Sequence, residues 1–130
     1  MATFQILLDQ LDKQQYLNIE TFRKNGIGVK TPVWFVLEGD ALYIQTETDS
    51  GKAKRIRRNG QVKVAPCKMD GALLGDWQPA IARDVIDTEV INKIDRLFGE
   101  KYGLLKGIFA LGAVLLRKKY AVLEIKGREE

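Results

Sequence analysis

The chain has 130 residues, 45% hydrophobic and 29% charged, enough for one folded domain with a real core and a poor match to a disordered segment. It contains no histidine and one cysteine, Cys67, which excludes an internal disulfide, Ser-His or Cys-His nucleophile pairs and histidine- or multi-cysteine metal sites. The net charge of +4 is local: apart from Lys52, Lys54, Arg55, Arg57 and Arg58, 16 of the 21 cations face 17 anions, so a discrete anionic ligand is expected.

Phe4, Leu7, Leu8 and Leu11 recur at the spacing of a short amphipathic helix. Leu17, Ile19 and Thr21 then alternate with polar residues as a strand, and Asn25-Gly26 is a hairpin turn. The next strand is expected from about Ile27 to Leu37. Val29, Thr31, Val33, Phe35 and Leu37 share one face of it, and Pro32, Trp34 and Val36 the other. Pro32 cannot donate to a ladder, so it marks an edge, a bulge or a strand end. Glu38-Gly39-Asp40 turns the chain into a strand from Ala41 to Thr46.

Ser50 is the expected N-cap of a short helix reaching Asn59, with Gly60 as the stop. Gln61 to Cys67 reads as a strand, Asp70-Gly71 as a turn, and Ala72 to Ala82 as a strand interrupted at Gly75. Asp87 and Thr88 are capping candidates for a helix carrying Val90, Ile91, Ile94, Leu97 and Phe98. The apolar run from Gly103 to Leu116 contains Lys106 and falls short of the roughly 20 residues that cross a bilayer. Its Leu104, Ile108, Leu111 and Leu115 fit a buried helix, Arg117-Lys118-Lys119 suits a helix C-terminus, and Tyr120 to Ile125 is a final strand. A mainly β, α+β architecture with flanking helices follows. The single cysteine and the lack of a basic-then-apolar leader pattern lead us to expect a cytoplasmic protein, without a membrane segment.

The stretch from Tyr43 to Arg55 carries the clearest chemistry. A strand ends at Thr46, and a helix begins at Ser50 with cations in its first turn. Free N–H groups at a helix start, a serine hydroxyl and a lysine ammonium together suit a phosphate. The same residues also fit a plain capped surface helix with solvated charges. Cys67, at the end of an apolar strand with no base beside it, reads as a small core residue.

Thr31-Pro32-Val33-Trp34-Phe35, the Glu38-Gly39-Asp40 turn, the strand into Thr46 and the run Ser50, Lys52, Lys54-Arg55-Ile56, Asn59 resemble the pyridoxamine 5'-phosphate oxidase-like split-barrel superfamily. Val64-Ala65-Pro66-Cys67, Gly71, Gly75 and Trp77 look more like its deazaflavin-dependent branch, which uses coenzyme F-420. The resemblance runs from about Tyr16 to Ile125. It implies a six-stranded antiparallel split β-barrel that forms homodimers, with cofactor sites between subunits. It also implies that Thr46, Ser50 and Lys52 meet the cofactor phosphate, with Lys54 and Arg55 as further contacts. Pro32, Val33 and Trp34 would lie along the cofactor ring, and Gly75 and Trp77 near the dimer seam. For Trp34 and Trp77, core or rim packing is the competing assignment. Arg57 and Arg58 would reach a polyglutamate tail or only water, with water favoured for Arg58.

The function implied is hydride transfer between F-420 or FMN and a small substrate, in which the cofactor carries the reaction and no side chain need act as acid or base in the hydride step. Tyr43 and Tyr102 are candidates for a proton donor, but spacing singles out neither. The alternatives are an FMN-dependent reductase of the same fold and a carrier that binds the cofactor without turnover. A nucleic-acid binder using residues 52–58 lacks a recognised motif and is not expected.

Overall fold

The computed structural model describes residues 2–103 and 120–128. In chain order these form α1 (Ala2–Leu11), β1 (Leu17–Phe22), β2 (Gly28–Val33), β3 (Val36–Glu38), β4 (Ala41–Glu47), α2 (Gly51–Arg58), β5 (Gln61–Pro66), β6 (Gln78–Asp84), α3 (Thr88–Tyr102) and β7 (Tyr120–Gly127). The strands make one antiparallel sheet in the order β2-β1-β5-β6-β7-β4-β3.

The two edge strands, β2 and β3, are joined by Trp34 and Phe35 alone. So short a link spans at most about 11 Å, so the sheet must curl until its edges nearly meet. The result is a barrel with a split at that seam. Strand alternation then feeds two cores. Leu42 and Ile44 of β4 point inward with Leu17, Ile19, Phe35, Val62, Val64, Leu123 and Ile125, and Phe4, Leu7, Leu8 and Leu11 of α1 join them. Ala41 and Tyr43 point outward with Val36 and Val122, and Ile94, Phe98 and Tyr102 of α3 cover that side.

Six strands were expected and the described residues form seven, because the expected strand from Ile27 to Leu37 breaks at Trp34–Phe35. The backbone of Phe35 is satisfied from α3. Its N–H donates to Tyr102 Oη at 3.0 Å, and Lys101 Nζ donates to its carbonyl at 2.9 Å. The expected alternation survives the break: Val33, Phe35 and Leu37 meet the inner core, and Trp34 and Val36 the outer one.

The expected strand from Ala72 is also corrected, since β6 begins at Gln78. The segment before it folds back on β5 instead: Leu74 N–H donates to Pro66 O (2.8 Å), and Lys68 N–H donates to Ala72 O (2.9 Å). Gly75 permits this approach, because a Cβ there would stand 2.8 Å from Pro66 Cγ. Cys67 is buried and bridges to Leu73, and burial raises its thiol pKa. The expected helix through Leu104–Leu116 and its basic end at Arg117–Lys119 lie outside the described residues. Among the described residues, no helix is long and apolar enough to cross a membrane, and no three His, Cys, Asp or Glu side chains are grouped to hold a metal ion.

Lys101 gives the α3 anchor a pH signature. Burial lowers its pKa from 10.5 to about 8, against a weaker opposing pull from Asp12. The folded state therefore binds fewer protons than the unfolded chain between about 8 and 10.5, and stability rises with pH across that window. Thermal unfolding of the wild type and Lys101→Met from pH 7 to 10.5 should show the wild type gaining relative stability above pH 8. A difference that stays constant with pH would contradict this reading.

Candidate functional site

Helix α2 spans the end of the barrel where β1, β4 and β6 finish. Ser50 caps it as expected, its Oγ accepting from Ala53 N–H at 3.1 Å. The same Oγ lies 3.0 Å from Thr46 Oγ1 at the end of β4, so the two hydroxyls are brought together. Lys54 N–H bonds Ser50 O. The N–H groups of Gly51 and Lys52, in the first turn, have no acceptor within the helix.

The charges around this helix start are inverted relative to the usual preference. A helix N-terminus carries partial positive charge and favours acids nearby. Here the first turn contains no acid and does contain Lys52. Arg55 folds back over the same turn: its Nη1 lies 2.7 Å from where a Cβ on Gly51 would stand, and its Nε donates to Thr21 Oγ1 of β1 at 2.7 Å. Burial lowers the pKa of Lys52, and the Arg55 charge adds to the effect. Burial likewise lowers Arg55, followed by repulsion from Arg23 and Arg58. Lys52 forms no ion pair among the described residues. A partly buried lysine, an arginine, a positive helix end and two hydroxyls converge with no acid in the first helical turn, an arrangement that an oxyanion would relieve.

Lys54 is exposed and makes no side-chain contact of this kind. Arg57 is committed elsewhere: it donates to Asp84 Oδ2 (2.7 Å), Thr48 O (2.7 Å) and Thr48 Oγ1 (3.0 Å). Arg58 donates to Phe22 O, correcting the expectation that it meets water alone. Because the Arg57–Asp84 pair is more than a third exposed on the arginine side, Arg57→Ala should cost on the order of 1 kcal/mol of stability and leave any anion binding at the start of α2 unchanged. Denaturant unfolding and ligand titration of that variant check both halves.

Pro32 is exposed on edge strand β2, opposite Asn18 of β1, which explains how a residue without an N–H is tolerated there. Val33 packs on the inner core. Trp34 stacks on Tyr102 with ring centroids 4.3 Å apart and planes 8° from parallel, so one face of its ring is already engaged. Trp77 lies beside β2, with Lys30 Nζ 5.4 Å from its ring centroid. Thr21, where Arg55 docks, pairs with Val29, and Asn18 pairs with Pro32. Thr21 and Asn18 are thus about 10 Å apart along β1 and, by alternation, on opposite faces of it.

The two tyrosines serve the fold. Tyr43 donates to Glu124 Oε2 at 2.9 Å, and burial together with that carboxylate pushes its pKa up to about 12. Tyr102 donates to Gln15 O at 2.8 Å, and burial pushes it up to about 12. Neither gives up a proton readily near neutral pH. Sequence reasoning missed Thr21 and Arg23: both act through contacts between distant segments, and only the turn at Asn25-Gly26 hints at where Arg23 sits.

No family model and no curated protein matches the chain. Solved structures do. The Vibrio cholerae heme storage protein HutZ aligns at TM-score 0.73 and 14% identity, covering 97% of this chain and 90% of its own. A conserved hypothetical protein from Mycobacterium tuberculosis aligns at 0.70 and 17%, covering 99% and 82%. A Listeria innocua protein provisionally assigned as a pyridoxamine 5'-phosphate oxidase aligns at 0.69 and 14%, covering 98% and 94%. At such identities the likeness speaks for architecture: this chain shares the fold of these solved structures.

Proposed function

We propose that this protein is a cytoplasmic, homodimeric oxidoreductase that binds coenzyme F-420 or FMN through its phosphate at the start of α2, and that it moves a hydride between that cofactor and a small substrate. The observation that carries the reading is the acid-free helix start, where Lys52 and the folded-back Arg55 crowd a positive N-terminus beside Thr46 and Ser50. In this reading Thr46, Ser50 and Lys52 hold the phosphate, and Arg55, braced on Thr21, screens it. Lys54 stays in water. Pro32, Val33 and Trp34 border the ring from β2, partly through backbone atoms, and Trp77 forms the rim. When bound, the flavin or deazaflavin supplies the redox chemistry, and this chain contributes binding, orientation and exclusion of water.

Heme, named for HutZ, is less well served by these residues. The chain has no histidine, so the commonest nitrogen ligand of heme iron is missing. A nucleic-acid surface is also less well served, because Arg57 and Arg58 already donate to Asp84 and Phe22 O and no recognised nucleic-acid motif accompanies them.

The phosphate assignment is tested by comparing FMN with riboflavin, which lacks the phosphate. FMN should bind at least tenfold more tightly, and equal affinities would remove α2 from the site. Turnover is tested separately by following absorbance of the bound cofactor across a panel of hydride acceptors. A change dependent on acceptor marks an enzyme, and its absence with tight binding marks a carrier.

A further inference from the structure

At the end of the barrel spanned by α2, four exposed cations gather around one turn: Arg23 and Lys24 between β1 and β2, and Lys54 and Arg58 on α2. Lys54 and Arg58 are four residues apart and share a face of the helix, turned away from buried Ala53 and Ile56. Arg58 donates to Phe22 O, beside Arg23, which ties the end of α2 to the turn. The charges of Arg23 and Arg58 both reach Arg55, so the group is mutually repulsive. None of the four forms an ion pair among the described residues. Of the neighbouring acids, Asp84 pairs with Arg57, Asp49 acts on the same arginine, and Glu20 lies against Gly28. Attraction to the C-terminal end of α2 explains Arg57 and Arg58 but not Arg23 or Lys24.

Ile27 closes the turn and is 57% exposed. Its backbone is already satisfied: its N–H donates to Asn25 Oδ1 at 3.0 Å, and its carbonyl accepts from Arg23 N–H at 2.9 Å. Gly26 N–H donates to Arg23 O at 2.9 Å, and Gly26 supplies the positive φ, +86°, that the turn needs. An apolar side chain is thus presented without unpaired polar groups from its own backbone, which is what entry into a lipid interface requires. A lone exposed isoleucine is ordinary on a protein surface. Set among cations on a closed turn, it joins the apolar and electrostatic attractions of a peripheral membrane contact.

We propose that the Arg23–Ile27 turn and the Lys54–Arg58 face of α2 dock the protein on an anionic lipid surface, Ile27 entering the interface and the four cations meeting acidic headgroups. Cytoplasmic leaflets carry such lipids. The contact stands apart from the cofactor reading, which uses Lys52 and Arg55 and leaves Lys54 in water. A nucleic acid would match the charge but gives Ile27 no role.

The test is co-sedimentation with vesicles of phosphatidylcholine alone and with vesicles holding an equal part of phosphatidylserine, at low and high salt. The wild type should pellet with the mixed vesicles and not with the neutral ones, and salt should release it. Removing one cation near such a surface costs roughly fivefold in affinity, so Arg23→Gln with Lys24→Gln should weaken binding on the order of 25-fold. Ile27→Ser should weaken it about fivefold or more. Lys63→Gln with Lys126→Gln removes the same charge from exposed positions on β5 and β7 and should change little. Every substitution is at an exposed side chain, so circular dichroism should match the wild type. No binding to the mixed vesicles, or equal losses in the two double variants, overturns the proposal. Binding that Ile27→Ser leaves unchanged also overturns it, and displacement by single-stranded RNA would then mark a nucleic-acid surface.

Discussion

Replacing Ser50 and Lys52 together by alanine is expected to weaken cofactor binding by on the order of 100-fold or more while the barrel stays folded. A hydrogen bond to a charged group contributes about 1.5–3 kcal/mol, and each 1.4 kcal/mol is tenfold in affinity, so losing two puts the effect at 100-fold or beyond. Ser50 also caps α2 and touches Thr46, so the variant should lose about 1 kcal/mol of stability as well. That is too little to unfold a typical domain. Burial and the Arg55 charge disfavour the Lys52 ammonium, and the charge of a bound anion would offset both. Isothermal titration beside circular dichroism separates the two consequences. A folded double variant with wild-type affinity would remove these residues from the site.

Phe35→Ala is expected to cost about 3–5 kcal/mol, the largest stability loss of any single change considered. Phe35 is fully buried in the inner core and forms half of the link between the two edge strands. Lys101 Nζ sits 3.5 Å from its ring centroid, so truncation removes a cation–π contact along with the packing. The damage should extend to the site, because the neighbouring Trp34 and Pro32 are held by the same seam. Urea unfolding measures the loss. A cost below about 1 kcal/mol would mean that the seam does not hold the barrel closed.

Local signals carried much of this structure. Asp87 and Ser50 are capping residues followed by helical periodicity, and both cap the expected helices. Alternation in the expected Ile27–Leu37 strand correctly puts Val33, Phe35 and Leu37 on one side and Trp34 and Val36 on the other. The break at Phe35 was hidden because the groups that satisfy its backbone come from Lys101 and Tyr102, far along the chain. Between Ile27 and Leu37 only Pro32, the mark of an edge, a bulge or a strand end, hints at it.

The basic run misled for a related reason. Side chains on a helix fan out by about 100° per residue, so five cations in seven positions cannot share one target. Asp84 and Phe22 claim Arg57 and Arg58, and those acceptors lie on strands whose proximity the linear sequence does not show. Gly51 beside Ser50 was legible as a helix start. Its second use, as the space into which Arg55 folds, depends on the side chain crossing back over the turn. Asn18 reads in sequence as an ordinary polar position on an alternating strand, and its unpaired oxygen appears only once Pro32 and Gly71 are in place around it.

The most direct test of the central claim is a fluorescence titration of the purified protein with coenzyme F-420 and, separately, with FMN. Tight binding of one of them, at about one per subunit and weakened by phosphate in competition, is the predicted result. Binding of neither would contradict the account: the split barrel would then be shared architecture without the shared cofactor.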